Sequence, residues 1–125
     1  MTPKEIRNEK LAAKMIKNLK RRNFEACYCA TAAEAVKAVS AMIPDGSSVT
    51  WGGSMTIRDM GLTKALHERD LKVLDRDEAK THDEAQQIYR EAFSCDYYLS
   101  SVNAISEDGV IVNIDGNGNR VAAIT

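Results

Sequence analysis

Residues 48–61 read SVTWGGSMTIRDMG, which predicts a short buried strand, a turn at two glycines and the start of a helix. Glycine adopts backbone angles that other residues avoid, and it lets a ligand approach the main chain closely. A serine then provides a good N-cap, so the helix start would offer unpaired N–H groups to an anion such as phosphate or carboxylate. The alternative is a tight turn that binds nothing. The candidate ligand-binding residues are Gly52, Gly53, Ser54, Met55 and Thr56.

The rest of the chain alternates between predicted helices and predicted strands. Three Thr-x-x-Glu capping boxes, beginning at Thr2, Thr31 and Thr81, each mark the first turn of a helix. Gly61 is expected to interrupt the helix that follows the glycine turn. The other predicted strands lie at about 24–29, 71–75, 96–102, 110–114 and 120–124. This alternation favours an α/β fold with a mostly parallel sheet and helices on both faces.

Length and charge limit the possible classes of protein. The 125 residues fit one domain at 1–125, with a helical segment at about 3–22 and an α/β core at about 24–125. Seventeen basic and 18 acidic residues give a net charge of -1, which argues against nucleic acid as the main partner. The sequence contains neither a membrane-spanning apolar run nor a signal-like N-terminus, so we expect a cytoplasmic protein.

The cysteines and histidines predict no metal site. An odd count of three cysteines argues against a disulfide framework, and we expect Cys27, Cys29 and Cys95 to be buried and structural. His67 and His82 lack the ligand spacing of known metal motifs, both relative to each other and relative to a pair of carboxylates.

Two further clusters could carry chemistry. The segment 100–109 places hydroxyls, an amide and two carboxylates after a predicted strand, and Glu107 is the candidate for proton transfer. In a parallel sheet this segment should share a rim with the glycine turn. A solvated loop is the alternative. In the turn-rich stretch that follows, Arg120 could bind a carboxylate or phosphate through two hydrogen bonds.

Several of these segments together resemble the LUD domain, the lactate-utilisation family. They are WGGSMT at 51–56 with Gly61-Leu62, DYYLSSVNAI at 96–105, EDG at 107–109 and GNRVAA at 118–123. The resemblance implies a three-layer α/β/α fold like that of ribose-phosphate isomerases and CoA transferases. By analogy with those relatives, it also implies phosphate or carboxylate binding at residues 52–56 and proton chemistry near Asn103 and Glu107. Asn119 and Arg120 are further candidate ligand contacts.

The resemblance further implies a role in oxidising L-lactate to pyruvate together with partner proteins that carry iron–sulfur clusters. No cluster is expected in this chain, and its own cofactor is unknown. A small anionic ligand and a homo-oligomer are also expected. The alternatives are a stand-alone sugar-phosphate isomerase- or CoA transferase-like enzyme and a non-catalytic assembly module. Because family members usually continue past the GNR segment, the C-terminal part of the family domain is expected to be absent.

Overall fold

The computed structural model describes residues 1–52, 55–75 and 78–113. They divide into two compact units. The first comprises Met1–Ala35 and Val102–Asn113, and the second contains Val36–Ser101. The predicted strand at 120–124 lies outside the described residues.

The second unit is built on a three-stranded parallel sheet, which agrees with the predicted α/β class and parallel pairing. Its strands are β1 at Ser48–Trp51, β2 at Lys72–Leu74 and β3 at Tyr97–Leu99. The order is β2-β1-β3, so β1 is the central strand. Thr50 pairs with Leu74 on one side of it and with Tyr98 on the other.

The core of the second unit packs around this central strand. Val49 and Trp51 are buried on one face of β1, and the hydroxyl of Thr50 donates to the carbonyl oxygen of Leu74 at 2.7 Å. The helices that accompany the sheet are α2 at Ala32–Met42, α3 at Met55–Asp59, α4 at Leu62–His67 and α5 at His82–Glu91. The buried apolar residues are Ile43, Val49, Trp51, Ile57, Leu62 and Leu66. They form one continuous cluster, so β1 is anchored by residues from α3 and α4 and by Ile43, which directly follows α2.

Local signals placed the helix starts correctly. Gly61 has a φ of 84° and separates α3 from α4. Thr2 caps α1, at Pro3–Arg21, with a complete capping box. At the starts of α2 and α5 the threonine hydroxyl accepts the expected N–H, but the glutamate carboxylate accepts from the N–H of Ala30 or Lys80, one residue before the cap.

In the first unit, α1 packs with a short antiparallel hairpin. Its strands are β4 at Ala104–Ile105 and β5 at Ile111–Val112. Gly109, with a φ of 86°, brings the hairpin turn against the backbone of α1. In the segment 100–109, which the sequence favours as a loop, residues 104–105 therefore form a strand.

Three local expectations were wrong. Residues 24–29 form no strand, because they have no pairing partner among the described residues, and Phe24 and Tyr28 stay exposed. The helical spacing of Met42 and Phe93 in the sequence predicts that both lie on apolar helix stripes facing the core. Both are exposed, because each lies at or beyond the end of its helix. Cys27 is exposed, and Cys29 and Cys95 are half-buried rather than buried.

Candidate functional site at the carboxyl edge of the sheet

The strand order of the second unit defines where a ligand would bind. From β1 the chain passes to β2 on one side and then crosses to β3 on the other. In open parallel sheets such a switch point opens a crevice beyond the carboxyl ends of the two separated strands. Here these ends are Trp51-Gly52 and Leu99-Ser100, and the N–H of Gly52 donates to the carbonyl oxygen of Leu99 at 3.2 Å.

The glycine turn therefore starts at the switch point, although part of it lies outside the described residues. Gly52 follows β1 directly, and Gly53 and Ser54 are not described. Met55 begins α3 and is exposed, and Thr56 follows it in the first turn. Because the N–H of Gly52 bonds to the neighbouring strand, the N–H groups offered to an anion would come from the residues after it.

A histidine and two carboxylates meet at the same edge of the sheet. The Nε2 atom of His67, the last residue of α4, lies 2.9 Å from Oδ2 of Asp75 and 3.6 Å from Oε1 of Glu78. Asp75 directly follows β2, and its side chain is only 10% exposed. The sequence spacing gave no sign of this cluster, because α4 and the segment after β2 approach each other only in the folded sheet.

Trp51 connects this cluster to the central strand. Its ring meets the imidazole of His67 edge to face, with the ring centroids 5.7 Å apart. Trp51 is 4% exposed, and its indole Nε1 has no hydrogen-bond partner among the described residues. A buried donor without a partner is unfavourable, so this N–H is a candidate to bind a ligand oxygen.

A cavity of about 340 Å³ lies beside the carboxylates. Asp75 and Glu78 form part of its wall together with Glu84 and Gln87 of α5, and Val73 and Ile88 contribute apolar surface. Its size is sufficient for a small molecule.

The predicted residues of the acidic loop lie in the first unit. The Glu107 carboxylate accepts from the Lys14 ammonium at 3.0 Å. The backbone carbonyl oxygen of Glu107 accepts from the side-chain amide of Asn18. The N–H of Asn103 donates to the carbonyl oxygen of Val112 within the hairpin. The glycine turn belongs to the second unit, so a common rim for the two segments stays a prediction. Asn119 and Arg120 lie outside the described residues.

In the first unit, the thiols of Cys27 and Cys29 interact, and they are the only cysteines in the described part of the chain that do so. Burial raises the pKa of the Cys29 thiol, and the neighbouring Cys27 raises it further. The thiolate is the form that attacks electrophiles and binds metals, so this shift favours the less reactive thiol form of Cys29.

Comparison with known proteins gives a family match. The family model described as the LUD domain matches residues 12–125. Searches among curated proteins and among solved structures found no match. Within the described residues, no helix combines the length and apolar character needed to cross a bilayer.

Proposed function

Because this chain belongs to the LUD domain family, we propose that it takes part in lactate utilisation, as a subunit in the oxidation of L-lactate to pyruvate. The match over residues 12–125 is the observation that carries this proposal, because the family is associated with lactate utilisation. Iron–sulfur partner proteins would accept the electrons, and this chain would bind a small carboxylate or phosphate. A cytoplasmic location, a homo-oligomer and a three-layer fold like that of CoA transferases belong to the same proposal.

The anion would bind where the chain leaves β1, at Gly52, Gly53, Ser54, Met55 and Thr56. Two observations support this position. The strand order puts the switch point there, and the helix α3 begins there. The proposal also keeps Asn119 and Arg120 as further contacts to the anion.

Growth on L-lactate tests the role in the cell. We expect a strain without this gene to lose growth on L-lactate, to keep growth on pyruvate, and to recover when the gene is restored. Unchanged growth of the deletion strain on L-lactate would refute the role.

The fluorescence of Trp51 tests the binding position, since it is the single tryptophan of the chain. Titration with L-lactate, pyruvate or phosphate should change its emission with saturation, whereas an uncharged alcohol should not. Thr56→Val should weaken this response, and Thr63→Val, a substitution of the same kind in α4, should leave it unchanged. Equal responses from both variants would remove the helix start from the proposal.

The role of Glu107 in proton transfer, with Asn103 beside it, needs a test that separates chemistry from ion pairing. Both side chains of the Lys14–Glu107 pair are 59% exposed, so the pair adds little to stability. If Glu107 is catalytic, Glu107→Gln abolishes lactate-dependent growth and Lys14→Gln does not. Equal behaviour of the two variants would leave Glu107 with only its ion-pair role.

A further inference from the structure

We propose that His67, Asp75 and Glu78 form a binding site for a divalent transition-metal ion, with Zn²⁺ as the best match. Each residue offers one ligand atom, and the three atoms lie within 4.8 Å of one another. This inference is independent of the proposed role in lactate utilisation.

The distances between the donor atoms suit a metal ion. A metal 2.0–2.2 Å from each ligand separates neighbouring ligands by about 3.0 Å in octahedral geometry and by about 3.4 Å in tetrahedral geometry. The Nε2 of His67 lies 2.9 Å from the Asp75 oxygen and 3.6 Å from the Glu78 oxygen. Two of the three separations therefore match those of ligands around one ion, and the third, between the two carboxylate oxygens, is no more than 4.8 Å.

The chemistry of the donors selects the class of ion. Imidazole nitrogen favours Zn²⁺ and other transition metals, whereas Mg²⁺ and Ca²⁺ prefer sites made of oxygen alone. Three protein ligands leave at least one position open for water or a small ligand, as in catalytic zinc sites. The 340 Å³ cavity provides space on the carboxylate side, because Asp75 and Glu78 line it.

The surroundings hold two of the three ligands in place. His67 follows Leu66, which is fully buried in the core, and its ring contacts the edge of Trp51. Asp75 follows β2, which is paired with the central strand, and its side chain is nine-tenths buried. Ligands fixed in this way lose little entropy on binding a metal. Glu78 is 68% exposed and leaves a path for the ion to enter.

A second observation separates this cluster from an ordinary surface ion pair. The buried Nε1 of Trp51 has no partner within the described ranges, although its ring packs on the same imidazole. A buried donor of this kind calls for an acceptor, and an oxygen ligand completing the metal shell would supply one.

Calorimetric titration of metal-free protein with Zn²⁺ tests the site. We expect one Zn²⁺ to bind per chain and Mn²⁺ to bind at the same place more weakly. His67→Gln should weaken Zn²⁺ binding by at least about tenfold, and so should Glu78→Gln. His82→Gln, which changes an exposed histidine in the first turn of α5, is the matched control and should bind as the wild type does.

Two controls keep the result unambiguous. Zn²⁺ also binds thiolates, so the titrations use the Cys27→Ser/Cys29→Ser background, and Mn²⁺, which prefers oxygen, gives an independent measurement. Glu78 is exposed, so its variant should fold normally, and circular dichroism verifies this. Absence of Zn²⁺ binding, or equal affinity in His67→Gln, Glu78→Gln and the His82→Gln control, would overturn the proposal.

Discussion

At the scale of single residues, Gly109 shows how a residue without a side chain shapes the first unit. Its φ of 86° lies in the left-handed region, and a Cβ there would stand 3.1 Å from backbone atoms of Asn18 and Leu19. Backbone atoms within a helix cannot move aside as a flexible side chain can. Two separate requirements, conformation and space, therefore favour glycine at this position.

We predict that Gly109→Ala lowers the free energy of unfolding by about 2–3 kcal/mol, because it adds a steric clash to backbone strain. Gly46→Ala is the control, since Gly46 has nearly the same φ but open space around its Cβ position. It should cost only about 1 kcal/mol. Denaturant unfolding followed by circular dichroism measures both, and equal losses would show that the contact with α1 has no effect.

The His67 cluster is also a matter of single residues, and it shows what a sequence leaves undetermined. His67, Asp75 and Glu78 are distributed over a helix end, a strand end and the turn after it, with no recognised ligand spacing. Their proximity depends on the pairing of β1 with β2. A local pattern holds no information on such a contact, whereas the capping threonines act within four residues and could be recognised directly.

At the scale of elements, one aspartate joins the starts of two strands. The carboxylate of Asp96, just before β3, accepts from both the N–H and the hydroxyl of Ser48, the first residue of β1. The N–H of Asp96 donates back to the Ser48 hydroxyl at 2.9 Å. These hydrogen bonds hold the pKa of the Asp96 carboxyl below its usual value.

This shift predicts how the stability of the sheet depends on pH. A lowered pKa in the folded state means that the contribution of Asp96 is present above its usual value near 4 and is lost as the pH falls through the folded value. We predict that Asp96→Asn lowers the melting temperature at pH 7 and reduces the loss of stability below pH 4. Glu91→Gln serves as the control carboxylate, and an identical acid profile for Asp96→Asn and the wild type would contradict this.

Elements also differ in how well sequence signals define them. The helices α1 and α5 begin at the predicted threonines because capping is local. Residues 24–29 have strand composition but no strand, because a strand exists only where a neighbouring strand completes its hydrogen bonds. For the same reason the strand predicted at 96–102 is only Tyr97–Leu99 in the structure, because these are the residues that pair with β1.

At the scale of the whole molecule, the two units differ in how many apolar side chains they bury completely. All the fully buried large apolar residues of the described ranges belong to the second unit, around Val49 and Leu66. In the first unit α1 buries none of its residues completely, and Val110 and Val112 beside the hairpin remain exposed. Local opening is easiest where few apolar contacts oppose it.

We therefore predict a gradient of amide hydrogen exchange. The amides of β1 should exchange slowest, because they are hydrogen-bonded in the centre of the sheet. The amides of α1 and of the hairpin β4–β5 should exchange faster by a factor of ten or more. Exchange of α1 as slow as that of β1 would show that the first unit is stabilised by contacts outside the described residues.

The central position of β1 has a consequence for synthesis on the ribosome. Both partners of β1 come later in the chain, and Leu99, which pairs with Trp51, follows it by 48 residues, which take about 2–10 s to translate. Until then the β3 side of β1 stays unpaired, so Val49 and Trp51 form an apolar segment that is a candidate for chaperone binding. A nascent chain halted between the two strands should leave Trp51 open to a fluorescence quencher that the finished protein excludes.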